Sequence, residues 1–220
     1  MLPRSFYIAA IVLLFCALVL SLLSSISLPT FPVIDFVRIS YANTPKSTSF
    51  FSQLRFGIWG LCSYDGNGKR SCSFTGHGYG LLIKDFDQKT TVFIGSSWTR
   101  GLAIHPVATG VTAIAFGFAC SKYEQGPFIT ALSSAVAAFL MTLAFIVDIA
   151  LYAFVKQQVN KLPHPGTTTT SSAFWMTFVS LILVITAGGS VFYGRRKDVG
   201  SEYPTFSSGK GGFLSRFRKS

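Results

Sequence analysis

Asp148 is the strongest chemical anomaly in a sequence otherwise short of reactive groups. It is the one acid in the apolar run from Phe128 to Val155. A charged group at the centre of a bilayer costs about 3 kcal/mol on insertion scales, so Asp148 is expected to face protein. It precedes Lys156 by eight residues, about 12 Å of helix rise, which places it in the half of its span nearer Lys156. His105 falls at a comparable depth if the neighbouring helix packs closely. Together they would form a proton-sensitive pair. The simpler alternative, and the favoured one, is a carboxyl that only fixes helix packing. Histidine titrates near neutrality, but His77, His105 and His164 are scattered over different segments, which favours ordinary polar roles over a sensor. No metal-ligand cluster, Gly-x-Ser-x-Gly elbow or phosphate loop is present in the sequence, and these are the patterns that announce the commoner reactions. The expectation is a non-enzymatic protein with no cofactor and no metal.

The elements that position these residues follow from composition. The chain has 220 residues, 50% of them hydrophobic and only 12% charged, with a mean hydropathy of +0.48. Soluble domains carry about 25% charge, so this is an integral membrane protein. A net charge of +11 would suggest nucleic acid in a soluble chain; here it is read as membrane topology, and no nucleic acid is expected. Four segments are long and apolar enough to cross a bilayer, which takes about 20 residues each: residues 6–28, 101–120, 128–155 and 173–193. Helices are required, because a span without water must satisfy its own backbone. Ser25 and Ser27 also suit signal-peptide cleavage, but the first apolar stretch exceeds the usual signal core of about 7–15 residues, and a retained helix is expected.

Orientation follows from basic residues. Residues 194–220 hold seven Lys and Arg against Asp198 and Glu202, which puts this tail in the cytoplasm. With four spans, residues 1–5, including Arg4, are cytoplasmic too. Residues 29–100 form a long outer loop, 121–127 a tight cytoplasmic turn, and 156–172 a short outer loop. The tail, rich in Gly, Ser and basic residues, is expected to be disordered.

The outer loop is too long for a connector and reads as strands: Val33 to Tyr41, Phe50 to Tyr64 and Thr91 to Ile94. Between Cys62 and Cys72 lies Asp65-Gly66-Asn67-Gly68, whose residues tolerate positive φ and favour a hairpin turn. Folding there brings the cysteines nearly opposite, within reach of a disulfide that an outside location permits. Cys16 and Cys120 lie within or beside the membrane. Cys120 is a candidate for palmitoylation, though a small buried hydrophobe is the simpler reading.

Gly57-Ile58-Trp59, then Cys62 and Cys72, resembles the claudin signature of Gly-Leu-Trp followed by two cysteines. Claudin-like proteins have four spans, cytoplasmic termini and a large first outer loop. The resemblance therefore implies a membrane α-helical fold: a four-helix transmembrane bundle with a claudin-like extracellular β-sheet in the first outer loop. It also implies that Trp59 packs beneath the hairpin, although Trp59 and Trp98 could instead anchor the loop at the membrane boundary. Within that group, Phe145-Ile146-Val147-Asp148-Ile149-Ala150-Leu151-Tyr152 and Ala173-Phe174-Trp175-Met176-Thr177 resemble the fungal PalI family and its eisosomal relatives. Two departures are visible. An upstream Trp of claudins is replaced by Tyr41, and the tail is shorter than in many PalI proteins.

The resemblance implies a plasma-membrane scaffold or accessory subunit that assists ambient-pH signalling receptors. Its alternatives are an eisosome-type organiser of membrane domains and cell-wall integrity, an auxiliary subunit of a polytopic wall synthase, and an oligomeric claudin-like pore. Expected partners are membrane lipids and either a polytopic membrane protein or further copies of the chain. Gly188 and Gly189, with Ala187, make a smooth patch that could admit another helix or pack within the bundle. Arg195, Arg196 and Lys197 stop translocation; with Lys210, Arg216, Arg218 and Lys219 they could hold anionic inner-leaflet lipid, at about 1 kcal/mol per basic residue.

Overall fold

The computed structural model describes residues 4–27, 31–41, 51–74, 76, 78–84, 91–121, 126–163 and 166–201. Four helices cross the membrane: α1 (Arg4–Ser25), α3 (Ile104–Cys120), α4 (Gly126–Val159) and α5 (Ser172–Ser201). A short helix, α2 (Ser96–Arg100), and a single 3-10 turn (Gly101–Ala103) lead into α3. The long helices form a closed ring in which α1 touches α3 and α5, and α4 touches the same two. Small residues line the inside: Ala10, Ala17, Ala108, Ala115, Ala137, Ala144 and Ala187 are buried. Large apolar residues such as Ile8, Val12, Phe15, Phe139, Ile146 and Ile182 point outwards. Lipid is as apolar as leucine, so close backbone packing through small residues, rather than exclusion of large ones from lipid, holds such a bundle.

Helix α4 has 34 residues, about 51 Å of rise, against a hydrocarbon core of about 30 Å. The excess emerges at its C-terminal end. There Leu151, Val155 and Val159 join Val37, Ile39, Leu54, Phe56, Ile83, Val92 and Ile94 in the largest buried cluster. The overlong helix is thus the post on which the β-structure sits.

That β-structure comprises a five-stranded antiparallel sheet and a separate hairpin. The sheet runs in the order β4 (Arg70–Phe74), β3 (Gly60–Asp65), β2 (Phe51–Phe56), β1 (Val37–Ser40) and β7 (Thr167–Thr170); the hairpin pairs β5 (Leu81–Lys84) with β6 (Thr91–Ile94). Val37, Ile39, Leu54 and Phe56 alternate towards the core, while Arg38 and Arg55, directly paired, occupy the other face. The expected turn is present. The Asn67 N–H donates to Asp65 Oδ1 at 2.7 Å, the Gly68 N–H donates to the Asp65 carbonyl at 2.9 Å, and Gly68 has φ of 79°. Cys62 and Cys72 are cross-strand partners joined by a disulfide, with Cα atoms 4.1 Å apart.

Four sequence expectations are corrected. The run from Phe50 to Tyr64 is not one strand: the chain reverses at Gly57-Ile58-Trp59, where the Gly57 N–H donates to the Gly60 carbonyl at 3.0 Å. The strand expected over Val33 to Tyr41 is confined to Val37–Ser40, because residues before it bend to meet the start of α5. The loop 156–172 is not a bare connector. Its Thr167–Thr170 run, β-branched throughout, adds the fifth strand to β1. Gly166 permits that approach, since a Cβ there would meet the Tyr41 ring at 2.9 Å and the Ser40 carbonyl at 3.1 Å. Finally, α5 continues beyond residue 193 to Ser201, so the tail is helical at its start. Arg195, Arg196 and Lys197 are good helix formers and suit the negative end of the helix dipole.

Candidate functional site at the sheet–bundle junction

The turn that carries Gly57-Ile58-Trp59 meets the end of α1. Ile58 is fully buried, and its N–H donates to Ser27 Oγ at 3.1 Å. Trp59 Nε1 donates to the Ser25 carbonyl at 2.8 Å. The last carbonyls of a helix have no intrahelical partner, so the indole closes one of them. Trp59 remains 37% exposed, which corrects the expectation that it packs beneath the hairpin; Ile58 takes the buried role. Ser25 Oγ bonds to Thr109 Oγ1 at 2.8 Å, and Thr109 Oγ1 donates to the Ser21 carbonyl at 3.1 Å, tying α1 to α3. The residues suited to signal cleavage, Ser25 and Ser27, are therefore structural contacts.

From its other side, the same turn is held by Tyr79. Its hydroxyl donates to the Gly57 carbonyl at 2.7 Å, and Thr99 Oγ1 of α2 donates to the Tyr79 carbonyl at 2.7 Å. Tyr79 is fully buried, and burial raises its pKa above the ordinary phenol value, so it stays a neutral donor. The turn is clamped to α1, and through Tyr79 to α2, by four hydrogen bonds, from Ile58, Trp59, Tyr79 and Thr99.

At the start of α3, His105 Nε2 and Asp148 Oδ1 lie 3.0 Å apart, and both residues are buried. The contact between these two residues, raised from the sequence only as a candidate, is present in the structure. The Phe36 ring rests on His105, with centroids 4.8 Å apart, so the pair in the bundle touches the strand end of the sheet. Asp148 Oδ2 has no hydrogen-bond partner among the described residues.

A third feature went unrecognised in the sequence. Asp35 is wholly buried and holds Arg38 through two bonds of 3.0 Å, while Ser171 Oγ donates to Asp35 Oδ1 at 2.7 Å. The hydrogen bond to Asp35 raises the Arg38 pKa, and the Asp35 charge adds to the rise. The Asp35 carbonyl also accepts the Ala173 N–H at 3.1 Å, at the free N-terminus of α5. This triad joins β1, the β7–α5 link and α5. An i, i+3 Asp–Arg pair within an apolar run was its only sequence signal.

Other predicted residues lie apart from this junction. Cys120 is a free thiol, exposed at the far end of α3, which corrects its reading as a buried hydrophobe; Cys16 is likewise free and exposed. Ala187 packs in the bundle, Gly188 lies against Ser134, and Gly189 is open. Arg195, Arg196 and Lys197 fall on the last turns of α5, and their side chains lie outside the described set. His77, His164, Lys210, Arg216, Arg218 and Lys219 lie outside the described residues.

The arrangement is one of internal bonds between an outer sheet and a helical bundle, in a four-span claudin-like fold. No curated protein matches the chain. The sequence profile of the SUR7/PalI family matches residues 6–187, a stretch that contains the clamp, the disulfide and the buried pair. On that match the chain belongs to the SUR7/PalI family.

Proposed function

We propose that this multi-pass protein is a non-enzymatic accessory subunit of the fungal plasma membrane, with both termini cytoplasmic, that helps a polytopic ambient-pH receptor reach or remain at the surface. The observation that carries the reading is the junction itself. The polar side chains Trp59, Tyr79, Thr99, Ser25, Ser27 and Thr109 bind one another's elements. That is the construction of a rigid display, with a stapled sheet presented above a bundle whose lipid-facing sides are free for a partner helix. The basic tail adds a hold on anionic inner-leaflet lipid. The test is loss of the chain. The surface level of one polytopic receptor then falls, and wild-type chain restores it while Cys62→Ser/Cys72→Ser does not. An unchanged surface proteome would refute the proposal.

One observation favours an organiser of membrane domains instead. A groove of about 310 Å³ between α4 and α5 has a floor of small residues, Ala131, Ser134, Ala135, Ala138, Gly188 and Gly189, flanked by Val184, Ile185 and Phe192, and small residues of this kind admit another helix closely.

A further inference from the structure

We propose that the β5–β6 hairpin and α2 form a foot that enters the lipid headgroup layer on the sheet side of the membrane. The hairpin carries large apolar residues on both faces, although its outward face also holds the exposed Thr91, the strand partner of Lys84. Ile83, Val92 and Ile94 lie in the core, whereas Leu82 and Phe93, direct cross-strand partners, are 52% and 62% exposed. A pair of strands with one face on the core ordinarily turns polar residues to water; here Thr91 does so, but the large apolar pair Leu82 and Phe93 stands exposed beside it.

The position of the patch identifies what covers it. β6 ends at Ile94, and through Gly95 the chain passes straight into α2, the first turn of the membrane-crossing segment Ser96–Cys120. Trp98 precedes Cys120 by 22 residues, about 33 Å of helix rise, just past a hydrocarbon core of about 30 Å. Trp98 therefore sits at headgroup depth, where indole rings are favoured. It is 40% exposed and stacks on Phe154 of α4 with centroids 4.2 Å apart. Phe93 is only five residues away, which sets the hairpin's exposed pair beside the start of the membrane-crossing segment. Arg100 is exposed two residues beyond Trp98. Its side chain lies across Gly78, where φ is +86° and a Cβ would strike the Arg100 chain at 2.6 Å. An aliphatic residue, two aromatic rings and one arginine at this depth match the acyl–phosphate boundary of a phospholipid. The foot fixes the height and tilt of the sheet above the membrane.

Depth measured by spin label tests this on the full chain in phosphatidylcholine nanodiscs. Cys16 and Cys120 are replaced by Ser, the Cys62–Cys72 disulfide is kept, and a nitroxide is placed at Leu82→Cys or Phe93→Cys. Lys69→Cys, exposed beside the β3–β4 turn, is the aqueous reference; Ile182→Cys, exposed on α5, is the lipid reference. The foot predicts that labels at 82 and 93 are open to oxygen and closed to a water-soluble nickel chelate, with an oxygen-to-nickel ratio severalfold above that at 69. A ratio equal to that at 69 would overturn the proposal by placing the hairpin in water. Shielding from both reagents would overturn it by showing a protein cover, and relief of that shielding on dilution to one chain per disc would identify a second copy.

Discussion

Removing His105 should destabilise the protein more than removing both His105 and Asp148. Both side chains are buried, and a single 3.0 Å bond joins them. Asp148 Oδ2 has no partner within hydrogen-bond distance among the described residues, so His105→Ala would leave the carboxyl with only the more distant side chain of Thr177. Breaking a buried pair from one side costs about 3–5 kcal/mol, because the remaining group is left uncompensated. His105→Ala/Asp148→Ala removes that group and leaves only a packing defect. The cycle should therefore give a coupling of at least about 2 kcal/mol. An ordinary interhelical hydrogen bond in a bilayer couples by only about 0.6 kcal/mol on average, so the measurement separates the two. Equilibrium unfolding in mixed micelles would supply all four stabilities. Because Phe36 rests on His105, hydrogen exchange along β1 should also rise in His105→Ala and stay near wild type in Asp148→Ala. Simple additivity of the two substitutions would refute the reasoning.

Other expectations follow from the junction. Trp59→Phe keeps an aromatic ring but loses the pyrrole N–H and its bond to the Ser25 carbonyl, and should cost about 1–2 kcal/mol, read by the same unfolding assay with faster exchange at the Gly57 turn. Burial raises the Tyr79 pKa in the folded state above the ordinary phenol value of about 10. Its contribution is therefore complete below about pH 10 and is lost as pH rises above it, so the stability difference between wild type and Tyr79→Phe should be flat through neutrality and shrink in strong alkali. Gly166→Val would force β7 from β1, since a Cβ meets Tyr41, Ile39 and Ser40 within 3.1 Å. The cost is about 1–3 kcal/mol, and exchange should rise at Thr168–Thr170 while β2–β3 is unchanged.

The helical part of this fold was legible because its signals are local. Apolar runs of bilayer length and a basic stretch after Tyr193 need no long-range information. The Cys62–Cys72 pairing was legible for the same reason, since the turn between the cysteines carries its own chemistry. His105 could be named only as a candidate partner for Asp148, because a lone acid in a span must find protein but its depth match depends on how closely the neighbouring helix packs. The fifth strand was not legible. Thr167–Thr170 is a strand only because β1, about 130 residues earlier in the chain, leaves an open edge beside it. The Asp35–Arg38–Ser171 triad was missed for a related reason. Asp35 and Arg38 look like ordinary surface residues of a strand until the α5 entrance folds over them. The break at Gly57 was hidden by strong strand formers on either side. Its role as a turn depends on the helix end that receives Ile58 and Trp59.

The central claim, that the chain serves as an accessory subunit beside a larger membrane protein, is tested most directly by purifying it from native membranes in mild detergent and measuring the native mass with identification of what co-purifies. The account predicts a complex of fixed stoichiometry containing one polytopic receptor. A homo-oligomer of this chain alone would contradict it.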